Sequence, residues 1–206
     1  MGSRIDSLYR VKRGELGKAS DVLAEAFRDD ADTSVLIPDV DKRVKKLPEF
    51  FRLFVRFGIN YGEVYSPSKD LEGVSIWLHS SRMKMNFPRM LRSGILRLTM
   101  RMDGATMKRF GQYGDDVDKI HERILPGEHW FLLAIGVDPN LQGGGYARTM
   151  LDPVLERADR QGLPCYLDTN SENNIGIYRR FGFDPVEKYK SLGNDHWAMV
   201  RKPEGK

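Results

Sequence analysis

Apolar positions in this chain recur with two periods, and their alternation lays out an α/β protein. Ala19, Val22, Leu23, Ala26 and Phe27 repeat at helical spacing, as do Val44, Leu47, Phe51, Phe54, Val55 and Gly58, which predicts two amphipathic helices. Pro48 falls inside the second and predicts a break or a new first turn there. Short runs at Tyr9 to Val11, Gly62 to Tyr65 and Val74 to Leu78 read as strands, the last two joined by a turn around Ser66-Pro67-Ser68. Trp130 to Ile135 and Cys165 to Asp168 read as buried strands. Between them Ala147, Met150, Leu151, Val154, Leu155 and Ala158 form one helical stripe, with Gly162 as its αL cap and Pro164 as a stop. Pro153 predicts a kink or a loosening in the middle of that helix. The sum is an α/β chain with a mixed sheet of about six or seven strands flanked by helices.

From about residue 82 to residue 125 the pattern changes. Met83, Met85, Phe87, Met90, Leu91, Ile95, Leu98, Met100 and Met102 are interleaved with Arg82, Lys84, Arg89, Arg92, Arg97, Arg101, Lys108 and Arg109, a basic amphipathic helical insertion. Such helices can lie on anionic membranes or on nucleic acid. The plainer reading, a core helix with a solvated basic face and methionines filling irregular space, is the one adopted here. Val117, Ile120 and Ile124 outline another short helix, and His121 between them reads as a surface or partner-satisfied histidine.

Composition narrows the class. With 206 residues, 40% of them hydrophobic and 30% charged, residues 1–206 are expected to form one globular domain. A net charge of +4 suits a polyanionic small molecule and is too small and scattered for DNA, so neither a nucleic-acid nor a membrane partner is expected. A homodimer stays open. The lone Cys165 allows no internal disulfide, suits a reducing compartment and reads as a small buried hydrophobe. His79, His121, His129 and His196 have no ligand spacing, so no metal is expected. No apolar run is long enough to span a bilayer, and Met1-Gly2-Ser3 begins no signal pattern, which makes a cytoplasmic location the expectation.

The informative chemistry lies between Val137 and Ala147, where a buried strand feeds a glycine loop that opens a helix. The first amides of a helix lack partners within it, the macrodipole adds partial positive charge, and glycine lets a phosphate approach the main chain closely. A diphosphate is the ligand this arrangement predicts. Tyr146 follows Gly145, so the Lys and hydroxyl of a P-loop are missing. Asp168 stands near the distance expected of a Rossmann acidic residue, but too much chain precedes the strand for that fold.

Gln142-x-x-Gly145-x-Ala147, followed by Asn174-x-x-x-Tyr178-x-x-x-Gly182-Phe183 on a later short helix, resembles the coenzyme A-binding core of the Gcn5-related N-acetyltransferase (GNAT) family. Leu167-Asp168-Thr169 and the ending Trp197 to Pro203 resemble its antibiotic-acetylating branch, which includes puromycin N-acetyltransferase. The resemblance implies a single-domain GNAT fold and an acetyl-CoA-dependent N-acetyltransferase acting directly, in a ternary complex, on a primary amine of a small molecule. It implies that Gln142, Gly143, Gly144, Gly145, Tyr146 and Ala147 hold the diphosphate through their amides, with Arg148 in reach of it. Ile135, Gly136 and Val137 would splay from the neighbouring strand and pair with the pantetheine arm like an added strand, and a main-chain N–H there would face the thioester oxygen. Asn174 is the implied side-chain contact, and Ser171 stands where many relatives carry a further Asn.

Tyr178 is the implied catalytic residue, a phenol that gives a proton to the departing thiolate; the plain alternative is an aromatic packed beside Phe181 and Phe183. A base is also needed to deprotonate the amine. Phe131 stands where histone-acetylating relatives carry a Glu, so Glu128, His129, Asp29, Asp30 and Asp32 are candidates, each equally readable as a solvated surface group. The helices inserted around 82–125, with Phe27 to Ser34 and Phe50 to Tyr61, would wall the acceptor cleft. Two alternatives stay open: a protein or peptide acetyltransferase, and a non-catalytic CoA-binding module with a basic docking helix.

Overall fold

The computed structural model describes residues 4–205; Met1-Gly2-Ser3, to which the expected lack of a signal pattern refers, lie outside the described residues. Seven strands form one sheet in the order β1 (Tyr9–Arg10), β2 (Glu63–Ser66), β3 (Gly73–His79), β4 (Trp130–Val137), β5 (Cys165–Thr169), β7 (Asn194–Arg201), β6 (Asp184–Ser191). Every neighbouring pair is antiparallel except β4 and β5. The mixed sheet is therefore the expected one, with the parallel pair at its centre.

Side chains alternate across β5, so Cys165 and Leu167 enter one apolar layer and Tyr166 the other. The first layer is closed by α7 (Tyr146–Gln161), through Leu151, Val154, Leu155 and Ala158, and by α8 (Glu172–Arg179). The second is closed by α1 (Leu16–Ala26), α3 (Val40–Tyr61) and α6 (Gly104–Ile124), with α2 (Ala31–Leu36), α4 (Phe87–Ser93) and α5 (Ile95–Arg101) outside them. Cys165 is buried as expected, and burial pushes its thiol up to about 12. No helix among the described residues is long and apolar enough to cross a membrane.

Three local expectations need correction. Helix α3 runs unbroken through Pro48, where a break or a new first turn was expected, and the span of α7 likewise includes Pro153. A proline removes the N–H that would bond to the carbonyl four residues earlier. Those carbonyls belong to Val44 and Thr149, both exposed residues, so water can take the lost bond and the buried faces keep both helices whole. Val117 to Ile124 is no separate short helix but the last third of the 21-residue α6, which starts after Asp103 caps the N–H of Thr106. His121 is 1% exposed, its Nε2 lies 2.8 Å from Nε2 of His129, and its ring stacks on Tyr166 at 3.9 Å. The surface reading of His121 falls and the partner-satisfied reading holds; burial first, then the neighbouring His129, hold its pKa down at about 3.

The ends of α7, α8 and β7 meet at Arg201. It is 4% exposed, donates to both carboxylate oxygens of Asp159 at 2.6 and 2.8 Å, and donates through Nε to the Phe181 carbonyl at 2.9 Å. Arg201→Ala would leave Asp159 and that carbonyl without these donors, and breaking a buried pair in this way costs about 3–5 kcal/mol. A urea titration is expected to show the loss, with Arg201→Lys falling between; a loss below about 1 kcal/mol would mean the pair is no better than a surface one.

Candidate active site

The opening lies where the parallel pair comes apart. Strands β4 and β5 are in register only at Trp130↔Cys165 and Phe131↔Tyr166, whereas β4 stays paired to β3 as far as Val137. From Leu132 onward the β5 side of β4 has no strand partner, so its main-chain donors and acceptors are left for an extended ligand. The sequence places this splay near Ile135; it begins three residues earlier. Ile135 packs with the α7 layer, and Gly136 turns to α1, where an added Cβ would meet Ala26 Cβ at 2.7 Å and Leu23 Cδ2 at 3.0 Å. Glycine at 136 therefore lets the first helix sit against the sheet beside the cleft.

At the end of β4 the Val137 carbonyl accepts from the Gln142 side chain at 3.4 Å. Gly143 and Gly145 have φ of +83° and +79°, a left-handed conformation open to glycine at little cost. Gly145 is the N-cap of α7 and supplies no side-chain cap, so the first amides of that helix are not satisfied in this way. Gln142 to Gly145 are exposed, with Tyr146 and Ala147 half-buried. The loop thus lies exposed at the positive end of a helix dipole, with the Gly144 N–H turned back to the Leu141 carbonyl at 3.4 Å, and a diphosphate suits such a helix start. Arg148 is exposed, pairs with Asp152 at 3.6 Å and lies over the Phe181 ring at 5.1 Å. That contact ties the first turn of α7 to the residues that follow α8.

Helix α8 brings the second motif to the same place. Asn174 donates to Thr169 Oγ1 at 3.4 Å, which holds it at the end of β5, and Ser171 donates to the same oxygen through its main-chain N–H at 3.3 Å. Tyr178 packs edge-on to Phe183 with ring centroids 6.0 Å apart, and its hydroxyl bonds to none of the described residues. Burial pushes that phenol up to about 12, so it stays protonated.

On the other side of β5 lies a polar cluster of which the sequence reading named only Asp30 and Asp32 as base candidates. Asp168 shares a face with Tyr166, two residues past the last β4 contact. Its Oδ1 accepts hydrogen bonds from the hydroxyls of Tyr166 and Tyr189, each at 2.8 Å, while the buried Oδ2 has no partner among the described residues. Burial raises its pKa to about 6, partly offset by the two phenols and by His196. His196 is 1% exposed, stacks on Tyr189, and has Nε2 3.2 Å from Asp32 Oδ1. Burial opposes its charge, but Asp32, with Asp168 and Asp30 behind it, outweighs burial and raises its pKa. Asn194 also donates to Asp32 Oδ1, and Asn170 donates to Asp30 Oδ1, each at 2.9 Å. Burial and then the neighbouring Asp32 raise the pKa of Asp30. Tyr113 of α6 faces the same carboxylates, and burial with those charges pushes its phenol well up.

The base candidates from sequence divide accordingly. Asp30 and Asp32 belong to this cluster, and Asp32, at 8% exposed, is no solvated surface group. Asp29 is exposed and engaged with Arg28 and Arg43. Glu128 is exposed and His129 bonds to His121 and to the Gly127 carbonyl, both at the start of β4 where it is still paired to β5. Asp168 had one legible signal, a carboxylate within the otherwise uncharged strand Cys165–Thr169. His196, Asn170 and Asn194 had none. Among the described residues no group of three or more His, Cys, Asp or Glu could hold a metal ion.

Comparison with known proteins gives the family and the fold. The profile of the Acetyltransferase (GNAT) family matches residues 107–183. Over 95% of its length the chain is 32% identical to an uncharacterised N-acetyltransferase of Schizosaccharomyces pombe, of which it covers 83%. Its fold matches a solved histone acetyltransferase and related acetyltransferase of Corynebacterium glutamicum with a TM-score of 0.66 at 19% identity, covering 97% of each chain. It also matches the polyamine N-acetyltransferase of Drosophila melanogaster with a TM-score of 0.59 at 13% identity, over 95% of this chain and 98% of that one. The chain belongs to the GNAT family of acetyltransferases and is an acyltransferase enzyme. The family generally uses acetyl-CoA as cosubstrate.

Proposed function

We propose that this enzyme transfers an acetyl group from acetyl-CoA to a primary amine of a small molecule, both substrates being held together in one complex. The amides from Gln142 to Ala147 bind the diphosphate, with Arg148 beside them. The free edge of β4 from Leu132 through Ile135, Gly136 and Val137 pairs with the pantetheine arm, and Asn174 reaches it from α8. Asp168 Oδ2 takes the proton that the ammonium group must lose before its nitrogen attacks the thioester carbon, and the second proton, lost from that nitrogen once the C–N bond has formed, replaces the one Tyr178 gives up. Tyr178 gives its proton to the sulfur as the C–S bond breaks.

The observation that carries this reading is the buried carboxylate oxygen of Asp168, without a partner among the described residues and ionised above about pH 6, beside the point where β4 and β5 part. Together with Asp30 and Asp32 it makes an acidic wall that His196 alone among these residues counters, which suits a cationic acceptor. The polyamine acetyltransferase of the same fold supports including diamines and polyamines among the acceptors to try.

The test is a panel of arylalkylamines, polyamines, aminoglycoside-type amines and lysine peptides incubated with acetyl-CoA, following free thiol. Turnover of small amines with little turnover of peptides is expected. Turnover confined to peptides would replace the reading by protein acetylation. Heat of CoA binding with no turnover of any amine would leave a CoA-binding module in its place.

A further inference from the structure

Between Arg82 and Met102 the chain carries six cations, Arg82, Lys84, Arg89, Arg92, Arg97 and Arg101, and no Asp or Glu. Helices α4 and α5 use only part of their apolar surface for packing. Met90, Ile95, Leu98 and Met102 join the core against α3, whereas Phe87 is 71% exposed, Met100 79%, and Leu91 and Leu96 are exposed too. Phe87 and Leu91 stand four apart on α4, and Leu96 and Met100 four apart on α5, so each pair forms one stripe on its helix. A core helix with a solvated basic face therefore describes only part of this segment.

The charges beside those stripes are largely uncompensated. Arg97 pairs with Glu49 and Lys84 with Glu122, but Arg82, Arg92 and Arg101 form no ion pair with the described residues. Arg92 and Arg13 also flank a shallow groove with Asn60 and Tyr61, next to α4. Exposed aromatic and long aliphatic side chains beside arginines, with Glu49 and Glu122 neutralising only Arg97 and Lys84, are the complement of an anionic lipid interface. Apolar side chains enter the acyl boundary while guanidinium groups meet phosphates. A second copy of the same surface would bring like charges together, and nucleic acid would leave Phe87 and Met100 without a counterpart.

We propose that the α4–α5 surface docks this enzyme reversibly on membranes rich in anionic phospholipid. The docking reading replaces the sequence expectation of no membrane partner, and it does not depend on the identity of the amine acceptor.

Co-sedimentation of the full chain with vesicles of phosphatidylcholine, alone or mixed with phosphatidylserine, tests it. Binding to the mixed vesicles, weak binding to the neutral ones, and loss at high salt are expected. Arg92→Gln with Arg101→Gln should weaken partitioning by roughly fivefold per charge. Phe87→Ser with Met100→Ser should weaken it by about tenfold or more. Because all four residues are exposed, their thermal midpoints should match the parent, so lost binding would not reflect unfolding. Failure of the parent to bind phosphatidylserine vesicles, or unchanged binding by both double variants, overturns the proposal. A concentration-dependent dimer in ultracentrifugation that Phe87→Ser with Met100→Ser breaks, without vesicle binding, would assign the surface to a second copy instead.

Discussion

Asp168→Asn is expected to lower kcat/KM by about a thousandfold at neutral pH, within the range found when a positioned general base is removed. Asparagine keeps an oxygen where Tyr166 and Tyr189 donate, so the two phenols stay satisfied and only the proton-accepting oxygen is lost. The pH profile gives the sharper reading. Burial raises the carboxyl pKa to about 6, so the parent should gain activity as pH rises through that value and the proton leaves. The variant should lack that acid limb.

Stability should move the other way. A carboxyl whose pKa is higher in the fold than in the unfolded chain binds its proton more tightly when folded, so the native state is favoured as pH falls from about 6 toward the ordinary carboxylate value. The uncharged asparagine removes the cost of holding a buried charge at neutral pH. The variant's thermal midpoint should therefore equal or exceed the parent's at pH 7, which separates lost chemistry from lost folding. A variant within tenfold of the parent rate that keeps the acid limb would move the base elsewhere, with Asp32 and its partner His196 next in line.

The second large effect belongs to Tyr178→Phe, expected to slow turnover by about a hundredfold while the affinity for CoA holds. The ring remains to pack against Phe183, so stability should be unchanged. With the phenol raised to about 12, its loss should act evenly across the neutral range and add no new limb to the profile. If Tyr178 protonates the leaving sulfur, a thioester of a more acidic thiol should react with a smaller deficit in the variant. Equal deficits with both thioesters would reduce Tyr178 to a packing residue.

The elements proposed to hold the cofactor were legible as local structure because they are built from consecutive residues. A strand, a glycine loop and a helix start lie within Trp130 to Ala147, and local rules govern each: side-chain period, left-handed glycines and an uncapped helix end. The same holds for the apolar stripe of α7. Pro48 does not break α3, because the buried face of that helix holds it together across the missing N–H, which local propensity alone does not weigh.

The polar cluster proposed to face the acceptor is assembled from residues far apart in the chain. Asp32 meets His196 and Asn194, Asp30 meets Asn170, and Asp168 meets Tyr189 only after β7 inserts between β5 and β6. No spacing rule links such positions, and each residue alone reads as ordinary surface polarity. What the chain's own pattern determined was the fold class, the strand, glycine loop and helix start proposed to hold the diphosphate, and the family. Which carboxylate is buried with an unsatisfied oxygen, and which apolar side chains of the basic segment stay outside the core, was decided by tertiary packing. Desolvation and leftover surface arise from everything a residue is packed against, and not from its neighbours in sequence.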